Sequence, residues 1–279
     1  MQLTQLRNAT IHLELGPHRL LVDPMLSDPG ALPPLRMVGG SGERNPLVPL
    51  PPVTDALLDE VTAVLLTHEH PDHLDVAGIE WIRERGLPVW TSGMDAPNLA
   101  RKDVDAHELV DGSLGMRVEV VPSKHGRGLV GWVLGPVAGF YLAHPGEPSL
   151  YLTGDSILTA NVLDAIERLQ PDVIVAPAGN ATLGFGGDIL FSPDELVTLA
   201  HAARGQVVLN HLEALDHCPV TRAELRERMA AEGLADRVHV PEDGERLVFS
   251  ASEATEVALH PTRLTPTFQK WATKALAGT

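Results

Sequence analysis

Three histidines and an aspartate fall within six residues of this 279-residue chain: His68, His70, Asp72 and His73, in the run T-H-E-H-P-D-H-L-D over 67–75. Imidazole and carboxylate are donors for borderline and hard cations, and a folded core does not bury so many polar groups without a charge to answer them. A single histidine is normally a surface or satisfied core residue. Four such groups on one short stretch instead predict a metal centre. His68 and His70 are two apart, so in extended chain they point to one side. Pro71 then resets the backbone. Asp72 and His73 open what reads as a helix, so their side chains leave in another direction. One loop could therefore serve two neighbouring ions.

The flanking residues say how such a loop is held. The run 61–67, V-T-A-V-L-L-T, is short, apolar and rich in β-branched residues, the pattern of a buried strand. After it, Val76, Ile79 and Ile82 recur at helical spacing. The ligands thus sit on a strand-to-helix loop at the carboxyl end of a strand, where α/β proteins commonly place their sites.

H-x-H-x-D-H after an apolar strand resembles the metallo-β-lactamase-fold hydrolase superfamily. Three later segments match that superfamily's ligand series in order: V-P-S-K-H-G with His125, S-L-Y-L-T-G-D-S with Asp155, and Q-V-V-L-N-H with His211. The resemblance implies His68, His70 and His125 on one ion, Asp72, His73 and His211 on a second, and Asp155 bridging, with Asp72 and Asp155 as the catalytic carboxylates. His217 competes with His211 for the last place; the position of His211 directly after a strand-like run favours it. The implied fold is a mixed α/β (α+β) chain folded as a four-layer αββα sandwich, with the site at one edge between two sheets.

Within the superfamily the resemblance is to the branch of ascorbate-6-phosphate lactonase and the N-acyl-phosphatidylethanolamine phospholipase D-like enzymes. It rests on the opening N-A-T-I-H-L-E-L-G-P-H-R-L-L-V-D-P-M-L, which ends in the pair Asp23–Pro24, and on H-L-E-A-L-D-H. Glu213, His217 and Asp23 become accessory positions beside the ligands or the substrate, and Lys124 and Arg44 candidate anion contacts. Asn8 stands where a histidine is frequent. Other branches fit less well. Their di-iron oxidoreductases have glutamate in place of His70, the lactamases proper have cysteine in place of Asp155, and the nucleases carry a large insertion for which the 155–211 interval is too short.

The remaining chain reads as one domain over 1–279. A hairpin is expected over 3–23 with its turn at Gly16-Pro17-His18, helices near 95–101, 161–169, 193 onward and 221–232, and strands through 116–152, at 173–176 and at 207–209. Ser192-Pro193-Asp194-Glu195 is a strong helix start. The stretch 28–52, rich in proline and glycine and containing Met37, Arg44 and Leu47, reads either as a lid or substrate wall or as a plain surface loop. The tail 260–279 reads as a helix with a Phe268, Trp271, Leu276 stripe, packed on its own domain or against a second copy.

Hydrophobic content of 44% and charged content of 21% suit a soluble globular protein. A formal charge of −16 argues against nucleic-acid binding, which needs a basic surface. No apolar run spans a membrane and no signal-peptide pattern opens the chain. Cys218 is the only cysteine, so no internal disulfide forms, and a cytoplasmic setting is expected.

The expected chemistry is metal-assisted hydrolysis. Two divalent ions, zinc foremost and manganese or iron as alternatives, would activate a hydroxide to cleave an ester-like bond in a phosphodiester, phosphoester or lactone. The expected substrate is a small, anionic molecule, and a homo-oligomer is an open expectation. Two further classes stay open: a mononuclear-iron oxygenase or other redox protein on the same scaffold, and a non-catalytic metal-binding protein.

Overall fold

The computed structural model describes residues 1–251; the expected tail helix at 260–279 lies outside the described residues. The first sheet is built from β1 (Gln2–Arg7), β2 (Thr10–Leu15), β3 (His18–Val22), β4 (Ala63–Leu66), β5 (Val89–Thr91) and β6 (Ala106–Glu108), with α1 (Thr54–Glu60), α2 (Val76–Arg85) and α3 (Ala96–Ala100) between its strands. The second is built from β7 (Arg117–Lys124), β8 (Pro136–Ala143), β9 (Leu150–Leu152), β10 (Val173–Pro177), β11 (Gln206–Asn210) and β12 (Val238–His239). Helices α4 (Gly128–Leu134), α5 (Ala160–Leu169), α6 (Pro193–Ala202) and α7 (Arg222–Ala231) belong to this half, and β13 (Arg246–Val248) returns to the first sheet.

The strand orders are β13-β1-β2-β3-β4-β5-β6 and β12-β11-β10-β9-β8-β7. Each sheet joins an antiparallel part to a parallel part: β3 to β6 run parallel in one, and β9 to β12 in the other. Period-two alternation explains the stacking. Ala63 and Leu65 of β4 face the core between the sheets, together with Val173 and Val175 of β10. Val64 and Leu66 face the opposite way, onto Leu58 of α1, Ile82 of α2 and Leu99 of α3. Ile174 and Ala176 face α5, α6 and α7 through Ile166, Leu196 and Leu225. Both sheets are therefore buried on two faces, which is why their parallel strands read as unbroken apolar runs. The result is the four-layer αββα sandwich. Each fully buried leucine or phenylalanine in it, such as Leu13 or Phe140, contributes roughly 1.5–3 kcal/mol.

Helix starts follow their capping residues. Asp75 accepts the Gly78 N–H at the head of α2, and Gly86 closes that helix in the left-handed conformation. Ser192 with Glu195, and Thr221 with Glu224, form reciprocal capping boxes on α6 and α7.

Two expectations are corrected. The opening hairpin is a three-stranded meander, because a further reversal occurs at Asn8, whose φ is +57°. The strand-like stretch 116–152 is interrupted by α4. Its sequence G-L-V-G-W-V-L has a strand-like composition, but Gly126, Gly128 and Gly135 all adopt positive φ and let the chain fold out between β7 and β8. Among the described residues no helix is long and apolar enough to cross a membrane.

Candidate metal centre

All the sequence-nominated ligands lie at strand ends on one edge of the sandwich. The 67–75 loop follows β4, His125 follows β7, Asp155 follows β9 across Thr153 and Gly154, and His211 follows β11. Their donor atoms gather in two groups, His68, His70 and His125 in one, Asp72, His73, Asp155 and His211 in the other, each within 4.8 Å. All but the half-buried His70 are buried. Asp155 joins the two groups. Its Oδ2 lies 3.2 Å from His73 Nε2, 3.4 Å from His125 Nε2 and 3.7 Å from His211 Nε2. Across the second group His211 Nε2 is 3.5 Å from Asp72 Oδ2. In the first, His68 Nε2 and His70 Nδ1 are 3.0 Å apart.

The histidines are oriented by bonds to their other nitrogens. His125 Nδ1 faces the Ile189 carbonyl at 2.9 Å, and His73 Nδ1 faces Asp23 Oδ2 at 2.9 Å. His68 Nδ1 meets Thr67 Oγ1 at 3.0 Å, and that hydroxyl donates onward to Asp23 Oδ2 at 2.8 Å. Asp23 also accepts the Thr67 N–H at 2.8 Å, so one carboxylate fixes the loop backbone and the His73 ring together. His211 Nδ1 lies 3.4 Å from Cys218 Sγ. Such partners fix ring orientation and leave the remaining nitrogen for a metal. Nε2 of His73 and of His211 are buried and face carboxylate oxygens, 3.2 Å from Asp155 Oδ2 and 3.5 Å from Asp72 Oδ2, an arrangement that a shared cation would satisfy. The donor set of imidazoles and carboxylates fits divalent zinc, manganese or iron.

Electrostatics agree with this fit. Burial opposes the charge on Asp155, but His73 and His211 outweigh it and hold the carboxyl well below its ordinary range. Asp72 behaves alike: against burial, its hydrogen bond with His211 and the charge of His73 keep it ionised. Burial also disfavours charge on His73, yet Asp155 and Asp23 hold its pKa at about 10. Burial, reinforced by neighbouring His73, takes His68 well below its ordinary value, and burial likewise lowers His125. The metal-free cluster is thus negative carboxylates balanced by bound protons, and a metal ion can take the place of those protons.

The accessory positions divide. Asp23 lies against His73. His217 is buried with its Nε2 3.8 Å from Asp72 Oδ2, outside the two donor groups, and burial lowers its pKa to about 4. Glu213 turns away: it pairs with the buried Arg222 at 2.5 Å and accepts the Arg222 N–H at 2.8 Å. Lys124 is exposed on β7. Arg44 donates to the carbonyls of Gly30 and Ala31 at 2.7 and 2.8 Å, so it closes its own loop.

That 28–52 loop is anchored beside the centre. Asp216, adjacent to His217, accepts from Leu35 N and Asn45 Nδ2 at 2.9 and 2.8 Å. Met37 and Val38 both donate to the Leu183 carbonyl at 3.1 Å, and the Leu47 N–H reaches the Ala214 carbonyl at 2.8 Å. The fully buried Arg7 donates to the carbonyls of Met25, Ser27 and Val48, gripping both ends of the loop. Sequence reading marked Asn8 only as a departure from a frequent histidine and did not nominate Arg7, Thr67, Asp216 or Cys218. The clustering of Thr67 with the H-x-H run, and of Asp216 and Cys218 around His217, was the available signal; Arg7 carried none.

Comparison with known proteins identifies the family. Residues 18–212 match the family described as Beta-lactamase superfamily domain. The chain is 31% identical over 255 residues to UPF0173 protein YddR of Bacillus subtilis, covering 89% of this chain and 100% of that one. It is 23% identical over 275 residues to a UPF0173 metal-dependent hydrolase of Aeropyrum pernix, covering 91% and 99%. The crystal structure of an isothiocyanate hydrolase from Delia radicum gut bacteria is similar at a TM-score of 0.83 and 30% identity, covering 90% of this chain and 100% of that one. With its sandwich fold and its histidine and aspartate cluster, the chain belongs to the β-lactamase superfamily and is a metal-dependent hydrolase.

Proposed function

We propose that the chain is a two-ion hydrolase of small molecules bearing an ester-like bond. His68, His70 and His125 would hold one ion, Asp72, His73 and His211 the other, and Asp155 would bridge. The observation that carries this reading is the placement of Asp155 Oδ2 within 3.7 Å of histidines from both groups. Two divalent ions held there would supply a water deprotonated near neutral pH and polarise the bond to be cleaved. The chain's residues do the rest. Asp155 and Asp72 bring the negative charge that lets two cations sit close together, and Asp72 is placed to orient the attacking water. Asp23, Thr67 and the Ile189 carbonyl hold three of the rings in register. His217, neutral at physiological pH and close to Asp72, is placed to contact the substrate or the leaving group.

Phosphodiesters, phosphoesters and lactones are the substrates that go with the lactonase and phospholipase D-like branch, and the Asp23–Pro24 hairpin end supports that branch. A second reading is hydrolysis of an isothiocyanate, R–N=C=S plus water giving R–NH2 and carbonyl sulfide. Its support is the 30% identity to an isothiocyanate hydrolase across 90% of this chain. Both readings would draw on the same cluster of histidines and carboxylates. Protein loaded with zinc or manganese and assayed on a phosphodiester, a phosphomonoester, a lactone and an aryl isothiocyanate separates them. Turnover confined to the isothiocyanate replaces the ester-like reading, and undiminished turnover after metal removal overturns both.

A further inference from the structure

Asn8 makes two bonds that meet at the same place. It lies fully buried at the reversal between β1 and β2. Its Nδ2 donates to the Asp72 carbonyl at 2.8 Å, while its own carbonyl accepts the His211 N–H at 2.9 Å. Gln5 Nε2 donates to that same carbonyl at 2.9 Å and fixes its direction. Asp72 is on the loop after β4 of the first sheet, and His211 follows β11 of the second. Among the described residues no hydrogen-bonded strand pair links the two sheets. The 3.5 Å spacing between Asp72 Oδ2 and His211 Nε2 therefore depends on contacts that span the gap. Asn8 is such a contact, and both of its partners are on one side of the centre. His68, His70 and His125 take no bond from it.

The backbone points the same way. His211 itself has a φ of +59°, a conformation that costs a non-glycine residue free energy and persists only where surroundings hold it. The bond from its N–H to Asn8 is one of the restraints that do so. Asn8 in turn has a φ of +57°, which asparagine tolerates better than most residues.

We propose that Asn8 is a positioning residue for the ion held by Asp72, His73 and His211: it brackets the two ligand loops and sets that subsite without touching the ion. This rests on the two-ion reading above. The residues that orient metal ligands typically govern affinity by about 10–100-fold.

The test is titration of metal-stripped protein with Zn²⁺ by calorimetry, and with Co²⁺ by visible absorption, in wild type, Asn8→Gly and Asn8→Asp. Glycine keeps the positive φ without strain and the main-chain carbonyl that accepts the His211 N–H, and removes the side-chain amide that donates to Asp72. Aspartate keeps the shape and turns an acceptor toward the Asp72 carbonyl. Wild type is expected to take two ions. Asn8→Gly is expected to keep one at wild-type affinity and bind the other about 10–100-fold more weakly, with the Co²⁺ spectrum of the tighter ion unchanged. Asn8→Asp should weaken the same ion further, and it serves alone if the glycine variant does not fold. Two ions at wild-type affinity in either folded variant, or equal weakening of both, would overturn the proposal. A wild type that binds a single ion overturns the two-ion reading itself and Asn8's role with it.

Discussion

At the scale of single residues, the site is a set of carboxylates and imidazoles whose charges are answered chiefly by one another. Asp155 carries the densest of these contacts, with three histidine nitrogens around one oxygen. Asp155→Asn keeps its size and removes its charge. On the proposed two-ion reading it is expected to lose one ion and to lower turnover by about 100-fold or more, while far-ultraviolet circular dichroism stays that of the wild type. Metal analysis and a steady-state assay on the same preparation decide it, and a fully active variant with both ions removes Asp155 from the bridge. Asp23 makes a separable case because it touches no donor atom, only the far nitrogen of His73 and the Thr67 backbone and hydroxyl. Asp23→Asn should weaken metal binding about 10–100-fold, read by competition with a chelating dye. Unchanged affinity would mean that the His73 ring is held by packing alone. The sequence exposed the ligand candidates because four of them lie on one loop and the others each follow an apolar strand. It marked Asn8 only as a departure from a frequent histidine, since a lone asparagine carries no metal-ligand signal, and it left Glu213 near the site because its partner, Arg222, is identified only by the fold.

At the scale of elements, the chain's strand ends do the positioning, and this was largely readable. The runs 61–67, 173–176 and 207–209 are short and apolar on both faces, as parallel strands covered by helices must be, and the caps at Asp75, Ser192 and Thr221 mark helix starts. What was not readable depended on glycine conformation and tertiary contact. Helix α4 has the composition of a strand, and only the positive φ values of the glycines around it make room for the turn. The 28–52 stretch gave no periodicity because its order comes from distant residues, chiefly Arg7 and Asp216. That dependence can be measured. Asp216→Ala removes the acceptor for Leu35, Arg36 and Asn45 and should loosen the middle of the loop while Arg7 still holds its ends. Limited digestion with trypsin, which can cut after Arg36 and Arg44, is then expected to run several-fold faster within the loop than in wild type. If the loop also walls the site, KM rises more than kcat falls. A digestion pattern identical to wild type would show that the Leu183 and Ala214 contacts suffice.

At the scale of the whole molecule, the two sheets bring carboxylates and histidines to one edge of a protein with a formal charge of −16, so the metal-free state must satisfy that edge with protons. His73 shows the consequence for stability. Its folded pKa of about 10 lies above the ordinary imidazole value of 6.5, so the folded state binds its proton more tightly than the unfolded chain does. The stabilisation this gives is fully present below pH 6.5 and is lost as pH rises toward about 10. The depressed carboxyls of Asp72 and Asp155 act at the other end: their contribution is present above their unfolded range and is lost as pH falls through their folded values. The lowered His68 and His125 add to the acid side, since the fold favours their neutral forms and loses that advantage as pH falls below 6.5. The metal-free protein should therefore be most stable near neutrality and should lose several degrees in Tm between about pH 7 and pH 10. If His73 holds a cation as proposed, that cation takes the place of its proton, so the alkaline decline of the metal-loaded protein should be distinctly shallower. Thermal unfolding of the two forms across that range, in one buffer series, measures the difference directly. Parallel alkaline declines in the two forms would mean that metal does not displace the proton held between Asp23 and Asp155.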